Sequence, residues 1–360
     1  MFKTLDLYII KKYFGTLTLM LLLLSGIITV FDVSQKIDDF IKNDASVYAI
    51  LFEYYANFLP FMLNLLLPLF VFIAVIFFTG RMAGQTEIVA IMGSGVSVNR
   101  LLRPYMICAL VITLLSAYLY NEIIPGNQIK RWKFEYEYII PNRANVSRNL
   151  HRQVQPGVFI TMQSFLYTDS TGYMFSADKF EGKSLKTRLT ANRISWNKNT
   201  KKWKLEGYTI RTLGKEGDKL ETGIFLDSTF NFNPRDFIQD EHWVEQLNYA
   251  RLNDFIAKEK SRGAEDIEWY ELEKYQRFSI PFSTFILTII GFVVSYKKSR
   301  GGMGLKILIG ITLSFSYIIL MRFAGEFAKK NVIPVLLAVW IPNIIYSIIA
   351  FIMYVRAIAK

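Results

Sequence analysis

A lone carboxylate in a basic stretch is the first feature of this sequence able to do chemistry. Glu87 lies in Arg81-Met82-Ala83-Gly84-Gln85-Thr86-Glu87-Ile88-Val89-Ala90-Ile91-Met92-Gly93, with Arg100 and Arg103 following. An acid so placed can take charge-assisted hydrogen bonds from an arginine or amide of another subunit. Ile88, Ala90, Ile91 and Met92 give the segment an apolar side, which predicts a short amphipathic helix over about 81–98. Its plainer reading is a helix lying on a lipid leaflet beside its arginines. The second group is cationic: Lys36, Lys42, Lys130, Arg131 and Lys133 can share an anion such as a phosphate, or can simply snorkel to lipid headgroups. Catalytic sets are harder to assemble. His151, His242 and Cys108 are the whole stock of His and Cys, too few for a zinc site of the usual kind or for a nucleophile, base and orienter. The single cysteine excludes an internal disulfide. Gly182-Lys183-Ser184 lacks the first glycine of a phosphate-binding loop, since position 177 is Ala. Gly93-Ser94-Gly95 fails the dinucleotide pattern at Val98.

The elements that must position these residues follow from composition. Of 360 residues, 52% are hydrophobic and only 20% charged, and 29 Phe, 20 Tyr and 11 Met exceed what one water-soluble core needs. The mean hydropathy is +0.25. Uncharged runs at 13–31, 54–80, 104–121, 278–296, 307–321 and 331–355 mark six spans. Five reach the roughly 18 residues a bilayer core demands. The fifth in order is short, and becomes long enough if Lys306 and Arg322 snorkel and residues 305, 323 and 324 count as membrane. The first run is longer than a signal-peptide core and no small-x-small cleavage pattern follows it, which predicts a retained anchor.

With the N-terminus cytoplasmic, the cytoplasmic segments hold 12 basic residues against the two acids Asp6 and Glu87, so the positive-inside rule selects that orientation for both termini. The net charge of +12 thus gathers at membrane ends, and no nucleic-acid partner is expected. Residues 1–123 form three spans with the short helix between the second and third, and 278–360 form three more. The 124–277 stretch is an extracytoplasmic domain. Alternation in Val158-Phe159-Ile160-Thr161-Met162, in residues 203–210 and in 225–230 predicts short strands of a β-sandwich or jelly roll. Trp196 and Trp203 flank a polar hairpin turn. From Asp236 the period turns helical, with Trp243, Leu247, Leu252, Phe255 and Ile256 on one face. The fold class is a polytopic α-helical membrane protein with six transmembrane helices and an extracytoplasmic β-jelly-roll domain between helices 3 and 4.

Several pieces in order carry a resemblance: Leu5-Asp6-Leu7-Tyr8-Ile9; Gly80-Arg81 with Gln85-Thr86-Glu87-Ile88; Arg100-Leu101-Leu102-Arg103-Pro104; Glu273 through Arg277 with Pro281; the Arg300-Gly301-Gly302 turn; and Trp340-Ile341-Pro342-Asn343. Over nearly its whole length the chain resembles the LptF/LptG family of lipopolysaccharide export permeases. Ser25-Gly26-Ile27-Ile28 before Phe31-Asp32, and Lys36, are slightly more LptG-like. The resemblance implies a half-transporter in the inner membrane of a Gram-negative bacterium, with its large domain periplasmic. It would pair with a paralogous LptF/LptG-type subunit, an LptB-like cytoplasmic ABC ATPase dimer, an LptC-like bitopic protein and an LptA-like periplasmic bridge. No cofactor is expected on this chain itself; ATP and Mg belong to the ATPase.

By the same resemblance Glu87 matches the family's coupling-helix acid, with Arg81, Ile88 and Ile91 around it. The five cations would meet lipid A phosphates. Spans one and five would line the cavity and its gates, giving Phe31, Phe315, Tyr317, Met321, Arg322 and Phe323 as cavity residues. Each aromatic or Met has a packing alternative, while Arg322 inside the membrane would be costly and hence functional. Gly310 and Gly325 permit close helix approach. Two other classes compete: a membrane-anchored periplasmic scaffold or sensor, and, last, a membrane enzyme using outer-face acids such as Asp38, Asp39 and Glu122.

Overall fold

The computed structural model describes residues 4–139, 146–166, 169–214, 217–230, 232–237, 243–263, 267–298 and 302–358. His242 and the Arg300-Gly301 part of the turn fall outside them. Two compact units result, one from residues 1–41, 46–131 and 268–360, the other from residues 42–45 and 132–267.

The first unit is helical. Helix α1 (Thr4–Lys42) runs for 39 residues without a break: no proline interrupts it, and the β-branched run Ile27-Ile28-Thr29-Val30 is accommodated within it. A π-helical turn (Ala49–Tyr55) leads into α2 (Ala56–Gly84), followed by the short α3 (Glu87–Gly93) and by α4 (Val98–Tyr118). A second π turn (Leu119–Ile123) opens α5 (Ile124–Tyr138). After the inserted unit come α7 (Ile267–Ser295), α8 (Gly302–Lys329) and α9 (Val335–Ile358), while α6 (Tyr249–Arg262) belongs to the insertion. Six stretches are long and apolar enough to cross a membrane, the second and third including their π turns.

One core joins Ile9, Tyr13 and Leu17 of α1 to Val71, Phe78 and Met82 of α2, Ile88 of α3, Leu101, Tyr105 and Cys108 of α4, and Phe292 of α7. Another joins Phe72 and Ile76 to Ile286, Ile290, Tyr317 and Tyr346. Gly310 lets α8 meet α2 closely, since a Cβ there would overlap Ile76 Cδ1; Gly325 is less constrained, its nearest neighbour being Leu272 at 3.6 Å. With no water in a bilayer core, buried polar groups must pair internally. Ser116 Oγ accordingly donates to Asn64 Oδ1 at 2.7 Å, and Tyr317 OH to Asn343 Oδ1 at 2.9 Å. Lys306 does not snorkel. Its amine is buried and donates to the carbonyls of Ser295 (2.9 Å) and Lys297 (2.5 Å), satisfying orphan acceptors where α7 ends.

The second unit carries six antiparallel strands in sequence order: β1 (Val146–Gln155), β2 (Val158–Leu166), β3 (Thr171–Glu181), β4 (Ser184–Asn197), β5 (Lys202–Gly214) and β6 (Gly217–Ser228). The register places Leu150 opposite Met162, Phe175 opposite Ala191 and Ile194 opposite Leu205. Those residues form one buried face, covered by Phe232 and Phe237. Gly172 is required there, because a Cβ would come within 2.5 Å of Met162 Sδ and 2.9 Å of Ile194. Trp196 and Trp203 stand opposite each other across the expected hairpin, and Asn197 Oδ1 turns the chain by accepting from the amides of Asn199 and Thr200. The helix expected after Asp236 starts later, at Tyr249. Asn248 Oδ1 accepts the Arg251 amide at 3.1 Å and caps it, leaving Trp243 and Leu247 outside.

Candidate functional site

Glu87 is tied to its own chain. Glu87 begins α3 just after Thr86, whose φ of 63° turns the backbone away from α2. Tyr8 OH donates to Glu87 Oε2 at 2.8 Å, and Lys12 Nζ lies 3.1 Å from Oε1 and 3.0 Å from Oε2. Burial pushes the Glu87 carboxyl up, but these hydrogen bonds and the charges of Lys12 and Arg81 outweigh it and hold the group below its ordinary value. Nearer the start of α1, the buried Asp6 accepts a two-pronged ion pair from Arg100 of α4, at 2.6 and 2.8 Å.

The short helix spans only 87–93, where 81–98 was expected. Gly84 closes α2, and Gly93 and Gly95 with the Ser97 cap of α4 bound it on the other side. Arg81 therefore belongs to the last turn of α2 and is exposed. Ile88 points into the core at 1% exposure and Ile91 packs partly against it, so neither forms the free face of α3. That face is Thr86, Val89, Ala90 and Gly93. A seven-residue helix gives periodicity too little length to tell its inner from its outer side.

The cations separate in the same way. Lys36 pairs with Asp32 one turn earlier at 2.9 Å and also donates to the Tyr54 hydroxyl. The π turn delivers two consecutive tyrosines to that carboxylate: Tyr54 OH reaches Oδ1 at 3.3 Å and Tyr55 OH reaches Oδ2 at 3.1 Å. Lys36 Nζ is 5.5 Å and Arg131 Cζ 5.0 Å from the centre of the Phe58 ring, and Arg131 also faces Phe61 at 5.8 Å. Two of the five expected cations thus meet over one ring, and both are largely buried. Lys42, Lys130 and Lys133 are exposed and do not join them. Asp32, Tyr54, Tyr55 and Phe58 carry this cluster, and only the four-residue spacing of Asp32 and Lys36 signalled it.

Among the expected cavity residues, Phe31, Phe315, Arg322 and Phe323 are exposed on α1 and α8. Tyr317 is not: it is 4% exposed and holds Asn343. Met321 is partly buried against the same core. Cys108 is buried in α4 and His151 exposed on β1; among the described residues no three His, Cys, Asp or Glu side chains group to hold a metal ion.

Six helices long and apolar enough to span, with a β unit inserted between the third and fourth, define a multi-pass membrane protein. The chain belongs to the lipopolysaccharide export system permease LptF/LptG family, whose model matches residues 7–356. No curated protein matches it. Members of this family are transport subunits and are not themselves catalytic.

Proposed function

We propose that this chain is the permease subunit of an ABC transporter that extracts lipopolysaccharide from the outer leaflet of the inner membrane and passes it to a periplasmic bridge. One observation carries the reading. Helix α1 holds Lys12, bound to Glu87, and Lys36, bound to Asp32, on one unbroken rod. Twenty-four residues separate them, about 36 Å at 1.5 Å per residue, which exceeds the roughly 30 Å of a hydrocarbon core. A single element therefore links a site suited to a cytoplasmic motor with a cationic site suited to a phosphate. At the outer site Lys36 exchanges Asp32 for a lipid A phosphate, with Arg131 beside it over Phe58. At the inner site an LptB-like ATPase dimer docks on the free face of α3, and ATP and Mg stay on that partner. The positive-inside count supports cytoplasmic termini and a periplasmic sheet unit.

The apolar faces of α1 and α8 fit a cavity shared with a paralogous subunit. Of its most apolar 18 residues α1 buries 6% and α8 22%, against 39–67% for the other spans. The β6 strand has no further neighbour among the described residues and exposes Leu220, Ile224 and Phe225, which suits strand addition by an LptC- or LptA-like bridge domain. The test is affinity purification of wild type and Glu87→Ala from native membranes, scoring ATPase and lipopolysaccharide. Wild type recovering both, and the variant losing the ATPase or its hold on it, supports the transporter. Wild type recovering neither overturns it and leaves a membrane-anchored scaffold or sensor.

A further inference from the structure

We propose that the first three turns of α1, the helix α3 and the first turn of α4 form one body, clamped by Asp6 on Arg100 of α4 and by Tyr8 and Lys12 on Glu87 of α3, which delivers a displacement of α3 to α1. The inference rests on the transport reading and adds to it the route by which the motor reaches the rod. Positions 5, 9 and 13 place Leu5, Ile9 and Tyr13 on one stripe of α1, and these pack in the same core as Ile88, Leu101 and Leu102. Asp6, Tyr8 and Lys12 flank that stripe, and their polar contacts fix its register on α3 and α4. Both oxygens of Asp6 and both of Glu87 are engaged. Thr86 and Gly95 bound α3 with φ of 63° and 89°, so its direction is set apart from those of α2 and α4. The side chains of Tyr8 and Lys12 are what join it to α1. Asp6, Tyr8, Lys12 and Arg100 are positioning residues: they hold Glu87 and the end of α1 rather than touching lipid.

The test uses the full complex from native membranes in nanodiscs. Leu7 is 58% exposed, and Ser94, at the end of α3 and outside the face named for docking, is exposed too; they accept spin labels as Leu7→Cys and Ser94→Cys, while Cys108 is buried and stays in place. The label distance is expected to remain one narrow peak before and after ATP trapping, and to broaden in Asp6→Asn with Lys12→Met. A wild-type shift beyond about one helical turn, ~5 Å, would show that α3 and α1 move separately and overturn the clamp. In parallel, Asp6→Asn is expected to keep ATP hydrolysis while lipopolysaccharide released per ATP falls about tenfold or more. The reversal Asp6→Arg with Arg100→Asp is expected to recover most of that loss. Coupling unchanged in Asp6→Asn, or no recovery in the reversal, overturns the clamp and leaves the transporter standing. Wild type that hydrolyses ATP and releases no lipopolysaccharide overturns the transport reading, and the clamp with it. If Asp6→Asn fails to accumulate, the reversal alone decides.

Discussion

Glu87 ionises more readily in the folded chain than in an unfolded one, because Tyr8, Lys12 and Arg81 favour its charge more than partial burial opposes it. A carboxyl whose folded value is lowered contributes stability above its unfolded value of about 4.3 and loses it as pH falls through the lowered folded value. Wild type is therefore expected to melt higher than Glu87→Gln at pH 7, with the gap narrowing below about pH 4.5 and closing in stronger acid. Thermal melts of the solubilised protein across that range check it, and a gap that widens with acid would contradict the Lys12 pairing. On α5, if Arg131 meets a phosphate as proposed, it does so through charge-assisted hydrogen bonds worth about 1.5–3 kcal/mol each. Arg131→Ala is expected to weaken retention of phosphorylated lipid A about 10- to 100-fold and to leave a dephosphorylated analogue unaffected. Equal losses for both lipids would make Arg131 a packing residue over Phe58.

The helices and most strands were legible because their signals are long. A span needs about 20 apolar residues, and in β5 Trp203 and Leu205 alternate with Lys202, Lys204 and Glu206. What the sequence could not supply were contacts between distant segments. Asp6 and Tyr8 stood in a recognised motif, yet nothing local says that they reach Arg100 and Glu87, 94 and 79 residues away. Ile88 and Tyr317, which the resemblance placed at the site, are buried in the helical core. The π turns were equally invisible, and through one of them Tyr54 and Tyr55 both reach Asp32. In the sheet unit the same blindness hides Glu259. Its carboxylate, 1% exposed, holds Arg152 of β1 at 2.6 Å and Arg262 of its own helix at 3.0 Å, pinning α6 to the sheet. Breaking a buried pair from one side costs about 3–5 kcal/mol. Glu259→Ala is therefore expected to lower the unfolding midpoint of this unit by about 10 °C, followed through tryptophan fluorescence of the full chain. Glu181→Ala, which removes an exposed pair with Lys186, is expected to leave the midpoint unchanged.

At the scale of the molecule, burial is unevenly shared. The spans Ala49–Gly84 and Ile267–Ser295 have 50% and 67% of their apolar windows covered, as a bundle core requires, whereas α1 and α8 leave theirs open. Lipid alone satisfies an apolar face, so openness by itself does not mark a cavity. Exposure is also uneven within α8. Phe315 and Phe323 are 54% and 61% exposed, while Tyr317 between them turns inward to Asn343 and Tyr346. If the open faces line a lipopolysaccharide path, a photo-crosslinking residue at Phe323 or at Phe31, itself 65% exposed, captures lipopolysaccharide in native membranes, and one at Tyr317 captures none. Bulk phospholipid competes at every lipid-facing position, so the comparison needs an internal reference on another span. Phe351 of α9, 67% exposed, supplies it. A lipopolysaccharide-to-phospholipid adduct ratio several-fold higher at Phe31 and Phe323 than at Phe351 follows from the cavity reading. Equal ratios at all three would place α1 and α8 against ordinary bilayer.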